Sequence, residues 1–245
     1  NALVFTENTS EGSKLRLRYP GVTTSADLTP FPFRSARPLA VSHDLPDIVV
    51  VGFQSDIPEN DGLYQLDLND KSIHKIADWE GCTQVWFDGQ LRPSAAIRPN
   101  NDGAHDLLRR VNGEQWQTLV RYEWNEGRFG LPTEGVVSLS TDGLTLWFVD
   151  SEESNTAALR SADLKTGDIK KVLVAEDADF YWTAAVVDTK TGEPRALASW
   201  FGEIRRHYLD ATLKKDFDWL KKQHNGDLSF VNSSRDDSRW LIRYL

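Results

Sequence analysis

Elbow-type serine catalysis needs a serine in the frame G-x-S-x-G, where a sharp strand-to-helix turn exposes the hydroxyl. None of the 245 residues gives that frame. The nearest stretch, Ala198-Ser199-Trp200, lacks both glycines. No phosphate-cradling glycine loop, dinucleotide fingerprint or H-E-x-x-H pair is present. The five histidines, at 43, 74, 105, 207 and 224, are scattered, and no two share metal-ligand spacing. They read as structural or surface residues. Glu152-Glu153 is an adjacent acidic pair after a strand-like run. Such pairs are usually solvated, and an amine-binding role would need both carboxylates to point inward. Cys82 is the only cysteine. It excludes an intrachain disulfide and a thiolate metal cluster, and its place just ahead of Val85-Trp86-Phe87 predicts an inert thiol. The sequence therefore assigns no catalytic, cofactor-binding or metal residue, and implies no cofactor.

Composition narrows the partners. A net charge of −9 argues against a nucleic-acid partner, which requires a basic face. The basic clusters Arg205-Arg206-His207, Lys214-Lys215 and Lys221-Lys222 are short and read as solvated surface. No apolar run approaches the roughly 20 residues of a membrane helix. One cysteine suits either the cytoplasm or the bacterial periplasm. Of nine tryptophans, Trp86, Trp147, Trp182 and Trp200 fall on strand-like runs and are expected to pack between sheets. Trp79, Trp116 and Trp124, near strand ends, are candidates for a channel mouth. Asn8-Thr9-Ser10 and Asn232-Ser233-Ser234 match the glycosylation acceptor pattern, which is frequent by chance.

The elements that would position any site come as a repeat. Five times a polar turn precedes a strand-like run: Pro46-Asp47, Asp88-Gly89, Asp142-Gly143, Thr191-Gly192 and Asp236-Asp237. Counted from the second turn residue, the steps are 42, 54, 49 and 45 residues. A period of roughly 40–50 residues built from short strands predicts a β-propeller, with one four-stranded antiparallel blade per period. Two outer hairpins support this. Tyr64 to Lys75 aligns without a gap on Arg160 to Lys171, and each edge strand carries lysine, as exposed edges tend to. Innermost strands are expected at Val85 to Phe87, Val136 to Leu139, Phe180 to Val187 and Leu228 to Val231. The first unit begins at its second strand and the last stops at its second. About five units are thus present, cut in mid-blade at both ends, an inventory compatible with five-bladed closure or with a strand-swapped homodimer. One helix is predicted near 211–224, capped by Asp210, ended by Asn225-Gly226 and inserted after the third strand of its blade. The absence of Met, including at position 1, predicts a piece of a longer protein.

Several stretches resemble one family. They are Leu28-Thr29-Pro30-Phe31, Gly62-Leu63-Tyr64-Gln65-Leu66-Asp67-Leu68, Asp188 to Ala196, and above all Asp227 to Leu241 after the predicted helix. In that order they resemble the N-terminal propeller of bacterial prolyl-oligopeptidase-family serine peptidases, in the acylaminoacyl and dipeptidyl peptidase-like branch. The resemblance implies a single propeller domain over 1–245 and, as its partner, a C-terminal α/β-hydrolase domain that this sequence lacks. It implies a non-catalytic part that gates and orients short peptides, with no nucleic acid and no membrane. None of the family's catalytic residues can be carried onto a position here. Two other readings stay open: a stand-alone scaffold like TolB or WD-repeat propellers, and a propeller glycosidase with facing channel carboxylates.

Overall fold

The structure, a computed structural model, describes residues 3–10, 12–113, 115–123, 135–151, 155–175, 177–200, 202, 204–234 and 236–244, Trp182 by its backbone alone. The chain folds as a β-propeller of consecutive antiparallel sheets. The first sheet holds β1 (Leu3–Thr9), β2 (Gly12–Arg18) and β3 (Ala26–Asp27). The second holds β4 (Ser35–Val41), β5 (Ile48–Gln54), β6 (Gly62–Asp67) and β7 (Ile73–Ala77). The third holds β8 (Gln84–Phe87), β9 (Pro93–Pro99), β10 (His105–Val111) and β11 (Gln115–Tyr122). The fourth holds β12 (Gly135–Leu139), β13 (Thr145–Asp150), β14 (Ala158–Asp163) and β15 (Ile169–Leu173). The fifth holds β16 (Phe180–Val187), β17 (Pro194–Trp200) and β18 (Ile204–Tyr208). Helix α1 (Ala211–Leu220) follows, then a pair, β19 (Leu228–Ser233) and β20 (Trp240–Tyr244).

The four expected innermost strands are β8, β12, β16 and β19, and the matched hairpins are β6–β7 and β14–β15. Their registers coincide: Leu66 faces Ile73 as Ala162 faces Ile169, and Tyr64 faces Lys75 as Arg160 faces Lys171. One innermost strand, β4, carries no alternating signal, because Arg37-Pro38 interrupts it. The proline sits where the register shifts, a bulge that tolerates a missing N–H.

The core lies in seams between successive sheets. Leu146 and Phe148 of β13 join the third-sheet residues Ile97 and Leu107, while Val149 of the same strand joins Phe180 and Leu197 of the fifth sheet. Alternation along each strand therefore feeds both neighbouring seams. In the last seam, Leu213 and Phe217 of α1 meet Val186 and Ala196 on one side and Leu228 on the other.

The helix start is as expected, for Asp210 accepts from the Thr212 N–H at 2.8 Å. The helix end is not. It stops at Leu220, ahead of Asn225-Gly226. The Lys221 N–H bonds back to the Phe217 carbonyl, and the Tyr244 hydroxyl donates to the Leu220 carbonyl at 3.0 Å. Those bonds settle terminal carbonyls without a glycine. Among the described residues α1 follows the third strand directly, and this sheet has no fourth strand.

Replacing Asp210 with alanine is expected to cost about 1 kcal/mol, as lost N-caps do. The Thr212 hydroxyl bond, the Thr212 N–H and Arg195 outweigh burial and draw the Asp210 carboxyl down to about 2. A carboxyl lowered on folding stabilises above its unfolded value of 3.8, and that contribution fades as pH falls through about 2. Acid denaturation of the native and alanine proteins should therefore converge over that window.

Candidate functional site at the channel mouth

Each innermost strand ends in a tight turn, and the hydrogen-bond pattern explains the repeated residues. In the fourth sheet the Ser140 N–H donates to the Thr145 carbonyl, and the Gly143 N–H donates to the Ser140 carbonyl, both at 2.8 Å. In the last sheet the Ser234 N–H bonds the Arg239 carbonyl, and the Asp237 N–H the Ser234 carbonyl, at the same distance. The carboxylates organise these turns. Asp142 accepts from the Leu144 N–H at 2.9 Å, and Asp236 from the Ser238 N–H at 3.2 Å. These bonds hold both acids ionised. The Ser140 hydroxyl and then the Leu144 N–H pull Asp142 below its usual range, and the Ser234 and Ser238 hydroxyls draw Asp236 to about 2.

The left-handed position of each turn falls at Gly143 (φ 75°), Asp237 (φ 59°) and, in the third sheet, Leu91 (φ 59°). The third turn is therefore offset from its glycine. Gly89 has another duty, because a Cβ there would lie 2.7 Å from the Thr141 methyl.

Four of these turns converge. Val41 to Asp44, Phe87 to Gly89, Ser138 to Thr141, and Val187 to Lys190 with Gly192 surround a cavity of about 380 Å³. A belt of bonds ties the turns together across sheets. The Ser42 hydroxyl donates to the Gly89 carbonyl at 2.6 Å. The Gly89 N–H donates to the Thr141 carbonyl at 2.7 Å, and the Thr141 N–H to the Thr191 carbonyl at 3.0 Å. The Thr141 hydroxyl donates to the Lys190 carbonyl at 2.6 Å. The lining sets hydroxyls and carboxylates beside Val41, Phe87, Leu139 and Val187, with Lys190 as its cationic member. Asp188 stays ionised, because the N–H groups of Thr191 and Lys190 outweigh its burial. Such a mouth can accept polar and peptide groups. Among the described residues no group of three or more His, Cys, Asp or Glu could hold a metal ion.

The residues singled out from sequence scatter around this mouth. Of the histidines only His43, read as structural or surface, lines it, beside the turn residues Asp88, Gly89 and Gly192 of the repeat. Trp79 packs on Gly52, and Trp116 lies under the Arg110 guanidinium, 5.5 Å from its ring centre. Trp86 and Trp147 pack in the seams, but Trp200 is 60% exposed and departs from the expected packing. Trp124, the Trp182 side chain and Glu152-Glu153 lie outside the described residues. Cys82 is buried, and burial pushes its thiol up to about 11, as an inert thiol requires.

Ser199 does meet a histidine, since its hydroxyl lies 2.9 Å from His207 Nε2. The serine is 1% exposed on β17, and Phe180 stands edge-on to the imidazole. Burial holds His207 below its ordinary value, against the pull of Asp177. The pair staples β17 to β18 and offers no reachable nucleophile.

No family model matches the chain. Over 220 residues it is 28% identical to dipeptidyl aminopeptidase BIII of Pseudoxanthomonas mexicana, covering 89% of this chain and 31% of that protein. The chain thus spans about a third of the length of the curated relative it matches. Among solved structures, an oligogalacturonate lyase in complex with manganese superposes with a TM-score of 0.55 at 14% identity, covering 86% of this chain and 60% of that one. TolB from Acinetobacter baumannii gives 0.49 at 12%, covering 85% and 50%. The likeness to the lyase is one of fold. The sequence relation to the aminopeptidase bears out the resemblance read from the motifs: this chain is a β-propeller similar to part of a peptidase of the prolyl-oligopeptidase family.

Proposed function

We propose that this propeller screens and orients short peptides for the α/β-hydrolase domain of a serine peptidase, and carries no catalytic centre of its own. The observation that supports the reading most is the mouth, an aperture of about 380 Å³ bordered by four turns that hydrogen bonds join one to the next. Widening it would break several hydrogen bonds at roughly 1 kcal/mol each. An aperture of this kind admits an extended peptide and turns away a folded domain. The lining supplies hydroxyls, carboxylates and N–H groups that match peptide amides without demanding one side chain. The 28% identity to a dipeptidyl aminopeptidase supports short peptides as the substrate class.

A fluorophosphonate probe tests the non-catalytic half of the proposal. The full chain should remain unlabelled under native conditions, including at Ser199, which is 1% exposed. Stoichiometric labelling of any serine would contradict it.

A further inference from the structure

The fifth sheet differs from the three before it. The second, third and fourth sheets each hold four strands, and their outer strands are β7, β11 and β15. In the fifth, β18 is the outermost strand among the described residues. Helix α1 does not replace the missing strand at that edge. Its buried side chains, Leu213 and Phe217, pack against the sheet face, with Val186, Ala196 and Tyr208, and against the last strand pair.

The register shows which backbone groups the edge presents. The Leu209 N–H donates to the Arg195 carbonyl at 2.9 Å, continuing the pairing of Ala196 with Tyr208 and Leu197 with His207. In an antiparallel pair, hydrogen-bonded and non-bonded positions alternate. Arg205 and His207 thus turn their amides toward β17, while Ile204, Arg206 and Tyr208 turn theirs outward. An outer edge of this kind is a template for another strand.

The side chains on it select the strand. Arg205 and Arg206 are consecutive, on a protein whose net charge is −9, while His207 is engaged with Ser199. Arg205 is 41% exposed and meets Asp177 at 2.7 Å, an ion pair open to exchange. Arg206 lies over the Phe217 ring and donates to the Leu228 carbonyl. A second copy of β18 pairing across this edge would set arginine against arginine, and like charges directly opposite repel. An acidic strand would meet complementary charge.

We propose that the outer edge of β18 takes up an extended acidic peptide strand from a partner protein, by main-chain pairing with Ile204, Arg206 and Tyr208. The test uses the full chain and a fluorescein-labelled heptapeptide of alternating valine and glutamate. Fluorescence polarisation should show saturable binding, and hydrogen exchange should slow at Ile204, Arg206 and Tyr208. The same peptide N-methylated at alternate amides, or with lysine for glutamate, should bind at least about tenfold more weakly, because main-chain bonds supply affinity and charge supplies selection. Arg205→Glu should weaken the glutamate peptide by a similar factor while its circular dichroism stays native. No saturable binding, binding indifferent to N-methylation, or protection confined to other strands would each overturn the proposal.

Discussion

Gly192→Ala should destabilise the propeller by about 2–4 kcal/mol, the combined cost of a left-handed alanine and an overpacked contact. Gly192 has a φ of +79°, and a Cβ there would stand 2.2 Å from the Leu139 carbonyl oxygen and 3.0 Å from the Ser140 Cα. Both are backbone atoms, so no side-chain rotation relieves the clash. The turn would have to retreat from its neighbour, and the bonds from Thr141 to Thr191 and Lys190 would lengthen with it. Gly21 is the control. Its φ is also +79°, yet nothing lies within 4 Å of its Cβ position. Gly21→Ala should therefore cost only the conformational part, roughly 1–2 kcal/mol. Urea denaturation of the two variants separates strain from contact. Equal losses would mean that the mouth turns are not packed on one another as described.

Asp150→Ala should cost about 3–5 kcal/mol, the range for removing one partner of a buried ion pair. Asp150 is 1% exposed at the end of β13, and Arg160 of β14 reaches it at 2.6 Å from Nε to Oδ1. The Tyr122 hydroxyl, from the sheet before, donates to its other oxygen at 3.3 Å. Removal takes this carboxylate from the arginine charge, 9% exposed at the side chain, in a seam between two sheets. Replacing Asp150 and Arg160 together with leucine and methionine should recover much of the loss, because the charge then disappears with its partner. An exposed pair gives the contrast. Arg205→Ala, which breaks the pair with Asp177, should cost at most about 1 kcal/mol. Thermal denaturation of the four proteins checks the ranking.

Local chemistry made much of the fold legible. Asp142, Asp188 and Asp236 mark their turns because a short carboxylate accepts N–H groups two or three residues on. The matched hairpins were readable because Leu66 and Ala162, with their partners, face the same way in both. Other features were hidden for physical reasons. Pro38 conceals β4, since a bulge can hold a proline that a regular ladder cannot. Leu91 adopts a left-handed backbone while buried to 1% exposure, a placement that no turn rule assigns to leucine. The helix ends early because Tyr244, 24 residues beyond Leu220, caps it from another element.

The mouth was hidden most completely. Ser42, Gly89, Thr141 and Lys190 lie far apart in sequence, and none carries a motif for binding or chemistry. They become one site only when successive sheets turn about a common axis. Gly89 and Gly192 were visible as turn residues, but their reason, the approach of a neighbouring turn, belongs to the assembled ring.

The most direct test of the central claim is the native polypeptide that contains this sequence, purified from its source and treated with a fluorophosphonate probe. The expected result is a labelled polypeptide far longer than 245 residues, its modified serine in a G-x-S-x-G frame outside the propeller. A native product of propeller alone, unlabelled and bound to no hydrolase, would contradict it.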